Sequence, residues 1–272
     1  MKNIVVSIVL YNTDLDDLNK LLTVLISEDL VSDILLIDNS PKNKLKKFVI
    51  DLEKIIYLHC PNNPGYGSGH NIGFRYSIKK DSKYHLVINP DIKLPTNTLK
   101  GLFSFLNLNT DVGLVMPRVL DFSGEEQKLC KLIPTPLDLI LNLIPKIRIF
   151  NNRRKIFRLN SQKVNNPIFV PYLSGCFMLF RVCIIKKVGL FDERFFMYPE
   201  DIDISRRIVK HALTIFHPNF HVFHRHARES KKSFKMFLIH ALNICKYFFK
   251  WGWIYDKSRE EINKRALSVW PD

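Results

Sequence analysis

The chain has 272 residues, 46% of them hydrophobic and 12% aromatic, enough for one large domain or two small ones with a true core and too apolar for a disordered segment. Lys and Arg outnumber Asp and Glu by 41 to 26, and the net charge of +15 points to an anionic partner: nucleic acid, an acidic lipid surface or a phosphorylated substrate. Five scattered cysteines offer no Cys-x-x-Cys pair and no zinc-ligand spacing, which suits a reducing compartment. No run approaches the roughly 20 apolar residues of a spanning helix, since even Leu137 to Phe150 is broken by Asp138, Asn142, Pro145 and Lys146.

The opening run Ile4 to Tyr11 is short for a signal-peptide core and is followed by Asp14, Asp16 and Asp17 without a small-residue cleavage site, so it reads as a first strand. Leu15, Leu18, Leu22 and Leu25 then repeat at helical spacing behind Thr13 or Asp14 as a cap. Ile34 to Asp38, Ile55 to Cys60 and His85 to Asn89 read as further strands, and their alternation with helical segments implies a mostly parallel α/β sheet. Ligands of such sheets bind beyond the carboxyl ends of the strands, here Tyr11-Asn12, Asp38-Asn39, Asn62-Asn63 and Asn89-Pro90-Asp91. From about Lys128 to Asn166 regularity is lost, and Lys146, Arg148, Arg153, Arg154, Lys155 and Arg158 meet almost no acids, as in an insertion or flexible lobe. A strand at Cys176 to Phe180, the run Gly189-Leu190-Phe191-Asp192 and a helix from near Asp201 follow, and a basic, aromatic tail begins at Lys231.

Several segments carry chemistry beside a plainer reading. The glycine-rich loop Asn63 to Gly73 follows a strand, but His70 and Ile72 stand where a G-x-G-x-x-G fingerprint needs glycine, and no P-loop is present; a glycine turn with no ligand is the alternative. Asp91, after a strand, can ligate Mg²⁺ or Mn²⁺ or simply cap a turn. Glu200-Asp201-Ile202-Asp203 precedes Arg206-Arg207; helix electrostatics account for Asp203, whereas Glu200-Asp201 behind the apolar run Phe195 to Tyr198 suits a general base. In His224-Arg225-His226 the first histidine is a metal ligand or a structural residue.

In this order the pieces resemble family 2 glycosyltransferases of the GT-A fold, especially the bacterial rhamnosyltransferase-like group that builds O-antigen and other surface polysaccharides. The resemblance runs through Val6 to Asn12, Leu36 to Ser40, Asn63 to Gly73, Asn89-Pro90-Asp91, Ser174-Gly175, Gly189 to Asp192, Glu200-Asp201 and His224, and covers residues 1 to about 230. It implies a catalytic domain over 1–230, with a nucleotide-binding half to about 120 and an acceptor-side half beyond, and a basic aromatic helical extension over 231–272. It implies that Tyr11, Asn12, Asp38, Asn63, Gly65, Tyr66, Asn71, Asn89 and Asp91 line the nucleotide-sugar site, Asp38 touching the base. Ser174 and Gly175 fall on the acceptor side, Asp201 is the base with Glu200 beside it, and Asp91 and His224 hold a Mg²⁺ or Mn²⁺ ion, Asn89 replacing the first acid of the family's DXD motif.

The implied reaction is inverting transfer from a nucleoside diphosphate sugar, dTDP-rhamnose first and a UDP-hexose second, to a lipid-linked glycan. The basic lobe and the run Lys246 to Tyr255 would meet the anionic inner face of a bacterial cytoplasmic membrane, or the tail would dock its aromatics on the core with its lysines solvated. A nucleotidyltransferase is the nearest rival enzyme. A nucleic-acid-binding protein is the rival outside catalysis, without an RNP-like strand, helix-turn-helix or zinc signature to support it.

Overall fold

In a computed structural model of the chain, residues 3–49, 51–143, 148–159, 164–225 and 234–271 are described. Strand β1 (Ile4–Leu10) is buried at every position. Its alternate side chains face two different apolar layers: Ile4, Val6 and Ile8 join the main core with Leu18, Leu21, Leu22 and Leu25 of α1 (Leu15–Ser27), and Val5 and Val9 meet Ile72 and Tyr76 on the other face. A strand covered on both faces has no polar side, so its sequence is apolar except at Ser7, whose buried hydroxyl hydrogen-bonds His70 and His85. Asp14 caps α1 by accepting from the amides of Asp16 and Asp17.

β2 (Val31–Asp38), β3 (Ile55–His59) and β4 (Tyr84–Ile88) complete a parallel group in the order β3-β2-β1-β4, and α2 (Lys46–Val49) and α3 (Tyr66–Lys79) supply crossovers. The segment expected as a loop from Asn63 to Gly73 is a loop only to Gly65, and α3 begins at Tyr66. The glycines inside the helix permit close approach rather than a turn. A Cβ at Gly69 would lie 2.7 Å from Val9 Cγ2, and one at Gly73 would lie 2.6 Å from Ser7 Cβ, so α3 rests directly on β1.

Beyond β4 the direction changes. β8 (Phe177–Arg181) runs antiparallel to β4, β6 (Val112–Leu120) antiparallel to β8, and β9 (Leu213–His224) parallel to β6. β5 (Ile92–Lys93) and β7 (Ile168–Phe169) pair antiparallel with β9. The parallel sheet expected from the first third therefore holds for the first four strands, and the remainder is mixed. The β6–β9 register shifts after Pro117 and His217, where Pro117 and Pro218 cannot donate to a ladder.

Helices α4 (Thr98–Leu108), α7 (Val182–Val188) and α8 (Glu200–Val209) flank this half. The segment expected as a flexible lobe contains α5 (Pro136–Leu143) and α6 (Asn151–Phe157) and is anchored: Leu132, Ile133, Phe157, Leu159 and Val164 belong to the main core. The C-terminal helices α9 (Phe234–Trp251) and α10 (Lys257–Val269) place Tyr247, Phe248, Ile262 and Ala266 in that same core. No helix among the described residues is long and apolar enough to cross a membrane. The basic positions Lys146, Lys163 and Lys231 lie outside the described residues.

Candidate active site

The carboxyl ends of β1, β2 and β3 form one rim. Asn12 takes a left-handed backbone (φ 47°) and its amide donates to Ser40 Oγ at 2.8 Å, leaving the preceding Tyr11 ring exposed. Asp38 is fully buried; its carboxylate accepts from Tyr57 Oη at 2.5 Å and from the Ser40 amide at 2.9 Å. Burial and the neighbouring carboxylate push the Tyr57 phenol up, so it remains a donor. Asp38, implied above to touch the base, is thus bonded to Tyr57 and Ser40 at this rim. Asn63, at φ 43°, accepts from the Gly65 amide.

Gly65 joins the two halves of the sheet. Its φ of 98° and the 2.3 Å that would separate an added Cβ from the Phe196 carbonyl leave room for no side chain, and the Tyr66 amide donates to that carbonyl at 2.9 Å. Asn71, expected at the nucleotide site, is fully buried. Its Nδ2 donates to the Phe191 carbonyl and to Glu193, and its Oδ1 accepts from the Phe191 amide, so it ties α3 to the Gly189–Asp192 turn.

Tyr66 is the hub of the site. Its hydroxyl lies 2.7 Å from the Gly175 carbonyl and 2.9 Å from Asn89 Oδ1, two acceptors for one proton. Burial first, and then the charges of Glu200, Asp201 and Asp91 among its neighbours, hold the phenol far above its ordinary range, which keeps that proton in place. Asn89 Nδ2 in turn donates to His224 Nε2 at 3.3 Å, and Asp91 Oδ1 lies 3.3 Å from the same nitrogen. Gln127 fixes the tautomer. Its Nε2 donates to the His224 carbonyl at 2.7 Å, so its Oε1 faces His224 Nδ1 as an acceptor at 3.3 Å and the imidazole proton sits on Nδ1.

His224 Nε2, which accepts from Asn89 Nδ2, also faces a carboxylate oxygen of Asp91, an arrangement that a shared cation would accommodate. Ligands 2.0–2.1 Å from an octahedral ion stand about 3 Å apart, close to the Asp91–His224 separation. No group of three or more His, Cys, Asp or Glu side chains capable of holding a metal occurs among the described residues. A carboxylate and an imidazole nitrogen can both ligate a divalent cation, and Mg²⁺ or Mn²⁺ would draw few ligands from protein and the rest from phosphate and water.

On the far side of Gly175 stands the carboxylate pair. The Gly175 amide donates to Asp201 Oδ2 at 3.2 Å and the Ile202 amide to Oδ1 at 2.8 Å, whereas Glu200 Oε2 has no hydrogen-bond partner among the described residues. Burial raises both carboxyls, Glu200 further because Asp201 lies beside it. Two amides and the charge of Lys131 favour an ionised Asp201, so the shared proton resides on Glu200. Lys131 comes from the segment read as an insertion. A β-bridge to Tyr172 places it there, and burial lowers its ammonium while Asp201 opposes that shift. Ser174 sits beside Gly175 and hydrogen-bonds Cys176, whose thiol burial pushes up to about 12.

Sequence reasoning thus placed Asn89, Asp91, Gly175, Glu200, Asp201 and His224 in one region, and the structure gathers them around Tyr66. It missed Gln127, Lys131 and Tyr57. Tyr57 stands on β3 level with Leu36, two positions before the Asp38–His59 pair, and nothing local marks it, Gln127 or Lys131.

Residues 5–189 match the family model described as glycosyl transferase family 2. The chain belongs to that family. It is similar to the low-salt glycan biosynthesis hexosyltransferase Agl10 of Haloferax volcanii, 25% identical over 189 residues that make up 68% of this chain and 56% of Agl10. It is also similar to the rhamnosyltransferase WbbL of Escherichia coli, 26% identical over 239 residues that cover 85% and 88% of the two chains. The chain therefore spans little more than half of Agl10 and most of WbbL. In fold it is similar to a crystal structure of GalNAc-T7 with UDP, GalNAc and Mn²⁺, with a TM-score of 0.59 and 15% identity over 82% of this chain and 43% of that one.

Proposed function

We propose that this chain is an inverting glycosyltransferase that moves a sugar from a nucleoside diphosphate donor to a glycan acceptor, rhamnose from dTDP-rhamnose first and a hexose from a UDP-sugar second. One observation carries the reading: the hydrogen-bonded chain His224–Asn89–Tyr66–Gly175–Asp201, which fixes the Asp91–His224 pair relative to an ionised, partly desolvated carboxylate. Asp201 takes the proton of the acceptor hydroxyl as that oxygen attacks the anomeric carbon and the nucleoside diphosphate departs. A single displacement inverts the centre and needs no protein nucleophile. Asp91 and His224 would hold a Mg²⁺ or Mn²⁺ ion, which when bound neutralises charge on the departing diphosphate. Asn89 and Tyr66 hold the protein side of that site, while Tyr11, Asn12, Asn63 and the Tyr57–Asp38–Ser40 cluster frame the nucleoside rim.

A lipid-linked acceptor at the cytoplasmic face of a membrane completes the reading, and α9 supports it. Its inner face packs Tyr247 and Phe248 into the core, while Leu242, Phe249 and the following Ile254 are 62%, 79% and 91% exposed. A helix apolar on two faces has a second surface to cover. The lysines expected to meet lipid also bond to the core. Lys246 donates to the Arg194 carbonyl and Lys250 pairs with Asp192 and Asp203, so they fasten the helix to the core, and contact with a leaflet falls to Leu242, Phe249, Trp253, Ile254 and Tyr255.

The test is incubation of the purified chain with a panel of nucleotide sugars, with and without Mn²⁺. Release of nucleoside diphosphate from one donor is expected. Release of pyrophosphate would turn the reading to nucleotidyl transfer, and an inert panel with binding to single-stranded nucleic acid would turn it to the rival outside catalysis.

A further inference from the structure

Arg206 is the largest side chain fully removed from solvent, and it belongs to the helix that carries Asp201. Its Nη2 donates to Asp256 Oδ1 at 2.8 Å, its Nη1 to Tyr247 Oη at 2.9 Å, and its guanidinium lies 4.0 Å from the centre of the Trp251 ring. One turn earlier Asp203, also fully buried, accepts from Trp251 Nε1 at 2.8 Å, from Lys250 Nζ at 2.6 Å and from Arg207 Nε at 3.0 Å. Positions 203 and 206 share one face of α8, so every partner except Arg207 comes from α9 or the turn after it.

The grip extends to both sides of the base. Asn243 donates to the Met197 carbonyl and Lys246 to the Arg194 carbonyl, which holds the segment leading into Glu200. On α10, Asn263 exchanges two hydrogen bonds with the backbone of Ile133, at 2.8 and 2.9 Å, two residues from Lys131. Asp256 closes the arrangement, because the carboxylate that pairs with Arg206 also caps α10 through the Arg259 amide. A charged pair removed from water is costly compared with apolar packing of the same volume, but its directional bonds select one orientation.

Resting on the reading of Asp201 as base, we propose that the α9–α10 pair is a positioning element of the transferase. Its Arg206–Asp256 and Asp203–Trp251–Lys250 contacts set α8, and its Asn263 contact sets the segment that carries Lys131, so that Asp201 meets the acceptor hydroxyl. These are positioning residues, since none touches the reacting atoms. The groups that face Asp201 itself are Glu200 on its own helix, Lys131, Tyr66, Tyr172 and Cys176.

The experiment uses the full chain with Trp251→Phe, Asp256→Asn and, as a reference, Asp201→Asn. Trp251→Phe keeps a ring over Arg206 and removes only the N–H to Asp203. Each variant is measured for melting temperature, nucleoside diphosphate binding, and turnover against pH, read as dTDP released from dTDP-rhamnose or UDP from UDP-glucose. Asp256→Asn is expected to lower kcat by about tenfold or more, as displacement of a reacting group by a fraction of an ångström does, with nucleotide affinity unchanged. Both latch variants are expected to shift the acid limb of kcat to lower pH, as water reaches a carboxyl that burial now holds above its ordinary range. If Asp256→Asn melts below the assay temperature, Trp251→Phe alone decides. A folded latch variant with wild-type kcat and an unmoved acid limb overturns the proposal and leaves α9–α10 as packing. Retained turnover in Asp201→Asn instead removes the base reading, and with it anything for the latch to position.

Discussion

The two halves of the molecule assemble their chemistry by different means. On the β3-β2-β1 side the functional side chains sit at successive strand ends, and their bonds are short in sequence: Asp38 to Ser40, Asp38 to Tyr57, Asn63 to Gly65. The parallel register alone lines them up. On the other side Asp201 owes its environment to Gly175, Lys131 and Tyr66, and its helix is held by residues near 250, so the site exists only where distant segments converge. A rim set by one sheet tolerates loss of a single residue, whereas a convergence point transmits small shifts into the reaction. Damage to the first half should therefore appear in binding and damage to the second in turnover.

Asp201→Asn is the sharpest way to break that division. It should lower turnover on the order of 10²- to 10⁴-fold while nucleoside diphosphate binding, followed by calorimetry, is nearly intact. Near wild-type turnover would move the base elsewhere.

Asp91→Ala and His224→Ala come next, because they lie where the halves meet. Each should weaken Mn²⁺-dependent nucleotide binding without unfolding the chain, and the double variant should be little worse than either, since both act on one ion. Gln127→Leu, which frees the His224 tautomer, should cost about tenfold in Mn²⁺ affinity. Binding that is equal with and without metal in wild type and in all four variants would rule out the two-ligand site.

A pH profile separates the halves without mutation. Burial raises Asp201 above the ordinary carboxylate range, and the base works ionised, so turnover should rise with pH through that raised value and be lost below it. Nucleotide binding should lack this limb. Glu200→Gln should delete the step of the profile that belongs to Glu200 and preserve the one that belongs to Asp201, and two surviving steps would show that the proton is shared differently.

The smallest effect concerns the outward face of α9. Replacing Leu242, Phe249 and Ile254 together with Ser should reduce co-sedimentation with anionic vesicles and spare turnover on a short soluble acceptor. Binding by wild type should fall as salt rises, since attraction is screened over about 8 Å at physiological ionic strength. Equal binding to neutral and anionic vesicles would exclude charge-assisted attachment.

The amino-acid sequence by itself determined the first four strands, α1 with its Asp14 cap, the acid pair at the start of α8, and the placement of Asn89, Asp91 and His224 at or just beyond strand ends. These are consequences of apolar periodicity and local capping, which act over a few residues. Helix α3 was obscured because its glycines, read as a turn, serve close packing on β1. Only the tertiary structure decided that Asn71 faces inward, that Gln127 orients His224, that Lys131 reaches Asp201, and that Lys246 and Lys250 bond to the core. Such pairings join residues up to 120 positions apart, where a side chain's partner depends on which backbone passes close to it. No local pattern encodes that distance, because it is settled only when the core closes.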